Sequence, residues 1–172
     1  MNPAKLNDLK KELLNLDSKA LVEICLRVAK YKKENKELVN YLLFNAEEPL
    51  EYAELVKSSL LEEFENLSKH YYYSIKSLRK VLRAMNRHIK YTGSKEFEIE
   101  ITIWFCDNFL RYADTKSGQK PLRAIFVRQM ERISKVLPKL HEDLQFDYQI
   151  ELDKLQEIAA VKMKNEKLLN FL

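Results

Sequence analysis

The segment HEDLQ, His141 to Gln145, stops one residue short of the zinc-protease pattern HExxH, in which two imidazoles one helical turn apart hold the metal and the glutamate acts as base. Gln145 stands where the second imidazole is needed and ligates zinc poorly, so a surface helix carrying a histidine and two acids is the preferred reading. His70 and His88 are eighteen residues, or about five turns, apart on one expected helix and cannot share a metal. Cys25 and Cys106 lie far apart inside apolar patterns without a CxxC, which favours buried free thiols over a redox or zinc site. Paired carboxylates such as Glu62 with Glu63, or Asp143 with Asp147, fall in charged segments expected to be solvated. No serine has a nucleophile elbow around it, and no ExxH pair of the di-iron type occurs. With Gly93 and Gly118 as its only glycines, the chain has no glycine-rich phosphate loop of the dinucleotide or Walker kind. The expectation is a protein without catalysis, cofactor or metal.

A different chemistry is suggested by KHYYYSIKSLRKVLRAMNRHIKY, Lys69 to Tyr91, which contains no acidic residue. Read as a helix, it places Tyr71, Ile75, Leu78, Leu82, Met85 and Ile89 at alternating spacings of four and three, the seam that packs on neighbours. Lys76, Arg79, Lys80, Arg83, Arg87 and Lys90 then form a ridge centred about 130° around from that seam. From Leu67 to Lys95 there are eight Lys or Arg and no Asp or Glu, whereas the whole chain carries only +4. A second basic segment runs from Lys116 to Lys139, and acidic segments span Glu47 to Glu65 and Glu142 to Glu157. Such segregation has two readings. Basic and acidic helices can lie side by side, or the ridge is simply solvated. Alternatively, Lys76, Lys80, Arg83, Arg87 and Lys90 grip a nucleic-acid backbone while Tyr72 or Tyr73 stacks on an unpaired base. A sequence pI near 8.9 is only mildly basic for a nucleic-acid domain. Membrane-surface attachment is disfavoured, because the face opposite the cations is needed for the core.

These side chains must be positioned by helices, since apolar residues recur at helical spacing along nearly the whole chain. Eight helices are expected. The first runs from about Pro3 to Asn15 with Leu6, Leu9, Leu13 and Leu16 inward, and Asp17 caps a second with Leu21, Ile24, Cys25 and Val28 on one face. Asn35 opens a third carrying Leu38, Leu42 and Leu43; Pro49 opens a fourth with Leu50, Ala53, Leu60 and Phe64 inward. The basic fifth helix stops near Gly93. The sixth is ambiguous, because EFEIEITIWF alternates like a half-buried strand over Phe97, Ile99, Ile101, Ile103 and Phe105. The apolar pattern nevertheless continues through Cys106, Phe109, Leu110 and Tyr112, no partner strand is found, and a central buried helix is preferred. Gly118 and Pro121 precede a seventh, with Leu122, Ile125, Phe126, Met130, Ile133 and Leu137 as its stripe and a kink at Pro138. An eighth starts at about Asp147 and carries Ile150, Leu155, Ile158, Val161 and Leu168.

At 172 residues the chain fits a single helical domain, with two lobes dividing near residue 93 as the alternative. An apolar fraction of 46% beside 33% charged residues matches a soluble helical protein rather than a disordered or membrane one. No apolar run approaches the ~20 residues that cross a bilayer. The opening MNPAKLNDLKKELLNL lacks a secretory h-region, so a cytoplasmic setting is expected. The fold class expected is all-α, an irregular antiparallel bundle, with stacked hairpins of the solenoid type as the alternative.

The stretch from Leu9 to Phe44, LKKELLNLDSKALVEICLRVAKYKKENKELVNYLLF, resembles the start of a group of bacterial helical proteins without assigned activity, in which an LAKYKKENKELL type of segment recurs. LHEDLQFDY has a similar flavour. The resemblance implies an all-helical fold and assigns no site residue. The functional expectation is a non-enzymatic interaction or scaffold protein that binds a protein partner or itself, with nucleic-acid binding as the alternative and no membrane. Its apolar contact surface is expected near Tyr71 to Tyr73 or at Leu168, Leu169, Phe171 and Leu172.

Overall fold

The computed structural model describes residues 2–115 and 119–163. Within them the chain is all-α: α1 (Leu6–Leu14), α2 (Ser18–Tyr31), α3 (Lys33–Phe44), α4 (Pro49–Glu65), α5 (Tyr71–Thr92), α6 (Lys95–Tyr112), α7 (Lys120–Val136), a 3₁₀ turn (Leu137–Lys139) and α8 (Glu142–Met163). No strand occurs among the described residues. The helices divide into two compact units, Met1–Asn45 and Ala46–Leu172, and residue 93 lies inside the second.

In the first unit, Asp17 Oδ1 accepts from the Ala20 amide at 2.7 Å and so starts α2. Lys32 is extended between α2 and α3, and Asn35 Nδ2 donates to the Val28 carbonyl at 2.9 Å, which fastens the hairpin in which α2 and α3 pack together. Burial in this unit is slight. Neither α1 nor α2 has a buried residue, and α3 buries Tyr41. The expected inward leucines of α1 (Leu6, Leu9, Leu13) and Leu16 are exposed, as are Ile24, Val28, Leu42 and Leu43. Cys25 is likewise exposed, contrary to the expectation of two buried thiols. Pro3 lies ahead of α1, which begins only at Leu6.

The second unit is organised around α6. This helix packs against α4, α7 and α8, and less extensively against α5. Ser94 starts it, its Oγ accepting from the Phe97 amide at 3.2 Å. Eleven of its eighteen residues are buried, from Phe97 to Leu110. Burial over most of its circumference explains the strand-like alternation: apolar residues are wanted on all but one face, where Glu96, Glu100, Trp104, Asp107 and Arg111, spaced by fours and a three, stay partly open. The polar members of this core are satisfied locally. Thr102 Oγ1 donates to the Glu98 carbonyl at 2.5 Å, and Asn108 Nδ2 donates to the Trp104 carbonyl at 2.9 Å. Phe97, Ile99, Ile101, Phe105 and Phe109 are fully buried, each stabilising the fold by about 1.5–3 kcal/mol relative to exposure.

The neighbours are largely as expected. Pro49 begins α4, which buries Ala53, Leu60 and Phe64, although Leu50 remains exposed. The stripe of α7 is buried as read, and Pro138 converts its end into a 3₁₀ turn. Gly118 and Leu168 lie outside the described residues. In α8 the buried face is Tyr148, Leu152, Leu155, Ala159 and Met163, while Ile150, Ile158 and Val161 are exposed. Two apolar stripes compete on this helix, and the longer one, spaced by fours and threes, wins the core. The helix also starts at Glu142, five residues before Asp147, so that Glu142 and Asp143 lie in its first turn beside the positive end of the helix dipole.

Candidate functional site

The HEDLQ segment is the beginning of α8. Gln145 Nε2 donates to the Leu140 carbonyl at 2.8 Å and its amide donates to the His141 carbonyl at 3.0 Å, so the glutamine ties the first turn together. His141 Nδ1 faces Asp143 Oδ2 at 3.4 Å, both exposed. His88 Nδ1 shares a 2.7 Å hydrogen bond with Tyr52 Oη, and His70 stacks on Tyr71. Among the described residues no three of His, Cys, Asp or Glu come together as a metal site. Burial pushes the Cys106 thiol well above the ordinary range, with the Asp107 carboxylate adding to the effect, so it remains protonated.

Two polar clusters knit α6 to its surroundings. Lys57 on α4 bonds Glu100 on α6 and reaches Glu54 at 2.6 Å, while Tyr148 on α8 donates to Glu100 at 3.0 Å. Desolvation opposes the Lys57 charge, but the two carboxylates outweigh it and hold the ammonium above its ordinary pKa. Burial raises the Tyr148 phenol, and the adjacent Glu100 charge raises it further. Glu98 receives Lys95 at 2.9 Å and Arg132 at 2.8 Å. Desolvation works against its charge, yet these cations hold the carboxyl below the ordinary glutamate range. Both clusters join α6 to neighbouring helices through paired charges.

On α5 the structure buries Ser74, Ile75, Leu78, Val81, Met85 and Ile89. Most of the expected seam is there, but Tyr71 is exposed and Leu82 is half-buried, their places filled by Ser74 and Val81. The helix therefore turns slightly about its axis, and Tyr71 comes round toward the basic ridge. Tyr71, Tyr72, Ile75, Lys76, Arg79 and Arg83, with Pro121 at the start of α7, line a groove of about 460 Å³.

The groove divides the nucleic-acid candidates. Lys76, Arg83 and Tyr72 are brought together in it. Lys80 instead bonds Glu63 on α4, within the Glu47 to Glu65 segment. Arg87 is half-buried and engaged elsewhere. Lys90 is exposed about two turns beyond Arg83, outside the groove. Tyr73 is exposed and meets Tyr72 edge-on at 5.5 Å without lining it. Arg79 and Tyr71 are additions. Arg79 was visible as part of the ridge, but its inclusion depends on where Pro121 is placed, which helical periodicity on one segment does not reveal.

The other open surface is apolar and lies in the first unit. Leu6 is 83% exposed, Leu43 69% and Phe44 74%, and Leu9, Leu13 and Leu16 continue the Leu6 stripe at spacings of three and four. The C-terminal residues Leu168, Leu169, Phe171 and Leu172 lie outside the described residues. No described helix is long and apolar enough to cross a membrane. No protein-family model, curated protein or solved structure matches this chain.

Proposed function

We propose that this chain is a non-enzymatic helical interaction module of the cytoplasm, and that residues 1–45 bind the same surface of a second copy. The single observation that carries the reading is the exposure of the apolar faces of α1, α2 and α3. Leu6, Leu14, Leu43 and Phe44 are each more than two-thirds exposed, and Leu9, Leu13, Val22, Leu26 and Leu42 lie open beside them. Leu6, Leu9 and Leu13 on α1 have the three-four spacing of a helix-pairing seam, with Leu16 exposed just beyond the helix, and a seam of one residue type is complementary to itself across a two-fold axis. Burying these side chains against a partner removes apolar surface from water, the main favourable contribution to association.

The test is the mass in solution. Sedimentation equilibrium of the full chain should show a dimer that dissociates on dilution, and Leu9→Glu with Leu13→Glu should give a monomer of unchanged helicity. A monomer at every concentration, or a dimer indifferent to the double substitution, overturns the proposal.

A further inference from the structure

The groove on α5 is lined entirely by residues of the second unit. From Tyr72 to Arg83 its helical wall extends about 16 Å, with Lys76, Arg79 and Arg83 following one another at rises of about 4.5 and 6 Å. All three cations are exposed, none has a hydrogen-bond or ion-pair partner among the described residues, and no Asp or Glu lines the groove. Several cations elsewhere in this unit are neutralised: Lys57 by Glu100 and Glu54, Lys80 by Glu63, Lys95 and Arg132 by Glu98; what sets Lys76, Arg79 and Arg83 apart is that they follow one another along one groove. Three neighbouring like charges left without an internal counter-charge repel one another, and a row of external anions relieves that repulsion.

The shape of the row discriminates among anions. A single small anion reaches one or two of these cations, whereas a chain of phosphates can follow all three. The remaining lining is aromatic and apolar: Tyr71 and Tyr72 at one end, with Ile75 and Pro121 beside them. Tyr72 is 61% exposed, so its ring is available to a ligand. An aromatic platform next to a cationic track suits a polymer that carries both phosphates and free π-faces. A duplex hides its bases within the stack, and a lipid surface has no aromatic ring to offer. We propose that this groove binds single-stranded nucleic acid, with backbone phosphates along Lys76, Arg79 and Arg83 and an unpaired base stacked on Tyr71 or Tyr72.

The full chain is titrated at low salt with a fluorescent oligothymidylate and an oligouridylate, with a duplex of the same length, and with phosphatidylserine vesicles. Anisotropy should report tighter binding to the single strands than to the duplex, weakening steeply as salt is added. Arg79→Glu with Arg83→Glu should weaken strand binding by at least about tenfold, and Tyr72→Ala by about tenfold through lost stacking. Lys80→Ala, outside the groove, serves as the control and should change affinity little. These positions are exposed, and circular dichroism checks that each variant keeps its helicity. Absence of strand binding at low salt, or binding unmoved by the double arginine variant, overturns the proposal. Equal binding of duplex with no effect of Tyr72→Ala overturns it as well. Vesicle binding that exceeds strand binding and is lost in the same double variant would assign the groove to a lipid surface instead.

Discussion

Arg132 on α7 reaches α6 and places its Nε 2.8 Å from Glu98 Oε1, while Lys95 approaches the other oxygen of the same carboxylate at 2.9 Å. The Glu98 side chain is only 11% exposed, so its charge depends on these two partners. Arg132→Ala leaves the carboxylate with Lys95 alone and should destabilise the fold by about 2 kcal/mol, below the full cost of a buried pair because Arg132 is partly open to water. Urea denaturation at neutral pH measures it. The pH dependence has a definite sign. The folded-state carboxyl titrates below its unfolded value of about 4.3, so its stabilisation is complete above that value and is lost as the pH falls through the depressed folded one. The stability difference between the native chain and Glu98→Gln should therefore shrink below about pH 4. A difference that stays constant across this range would contradict the role assigned to the ion pair.

Phe64 is fully buried at the end of α4, with its ring edge-on to Trp104 at 5.4 Å and to Phe105 at 5.4 Å. Phe64→Ala should cost about 3–5 kcal/mol, since the transfer loss is compounded by the cavity left against two rings. Trp104 is the only tryptophan in the chain, which makes the change visible. Its emission should shift to the red as water gains the vacated space, and its thermal transition should fall in step. An unshifted emission maximum in the folded variant would show that the site collapses around the missing ring.

Gly93 ends α5 at φ +61°, with its amide donating to the Ile89 carbonyl at 3.0 Å. A Cβ there would meet no atom within 4 Å, so the cost of a side chain is purely conformational. Gly93→Ala should destabilise by about 1 kcal/mol, and Gly93→Asn by less, because asparagine tolerates the left-handed region. Thermal melts of both variants, compared side by side, distinguish this backbone cost from any steric one.

Gln129 on α7 is buried, and its Oε1 has no hydrogen-bond partner among the described residues. Replacing it with methionine keeps the length of the side chain and removes the orphaned acceptor. Gln129→Met should raise stability by about 1 kcal/mol. A loss of stability would mean that water satisfies the amide.

The architecture was legible where one helix face meets one core. The stripe from Leu122 to Leu137 and the run of Ile75, Leu78, Met85 and Ile89 are buried as their spacing implies. Periodicity failed where a helix offers two apolar faces. In α8 it selected Ile150 and Ile158 over Tyr148 and Leu152, because hydropathy ranks isoleucine above tyrosine, while packing favours the larger surface of the ring. It also assigned Leu6 and Leu9 to a core, since an amphipathic stripe looks the same whether it faces the interior or a partner. Of the candidate site, the ridge was readable from the absence of acids in Lys69 to Tyr91. The groove was not, because it needs Pro121, some forty residues downstream, and because only the tertiary structure shows that Glu63 takes Lys80 and leaves Lys76 and Arg83.

The central placement of α6 has a kinetic consequence. Helices α4, α7 and α8, and to a lesser extent α5, all pack against it, so loss of any one of them wets part of the helix on which the others also rest. Partial opening of the second unit is thereby penalised, and its backbone amides along Ile99 to Phe109 should exchange with solvent only when the whole unit comes apart. A ligand in the α5 groove would then protect distant α8 amides as strongly as adjacent ones, by lowering the frequency of a single collective event.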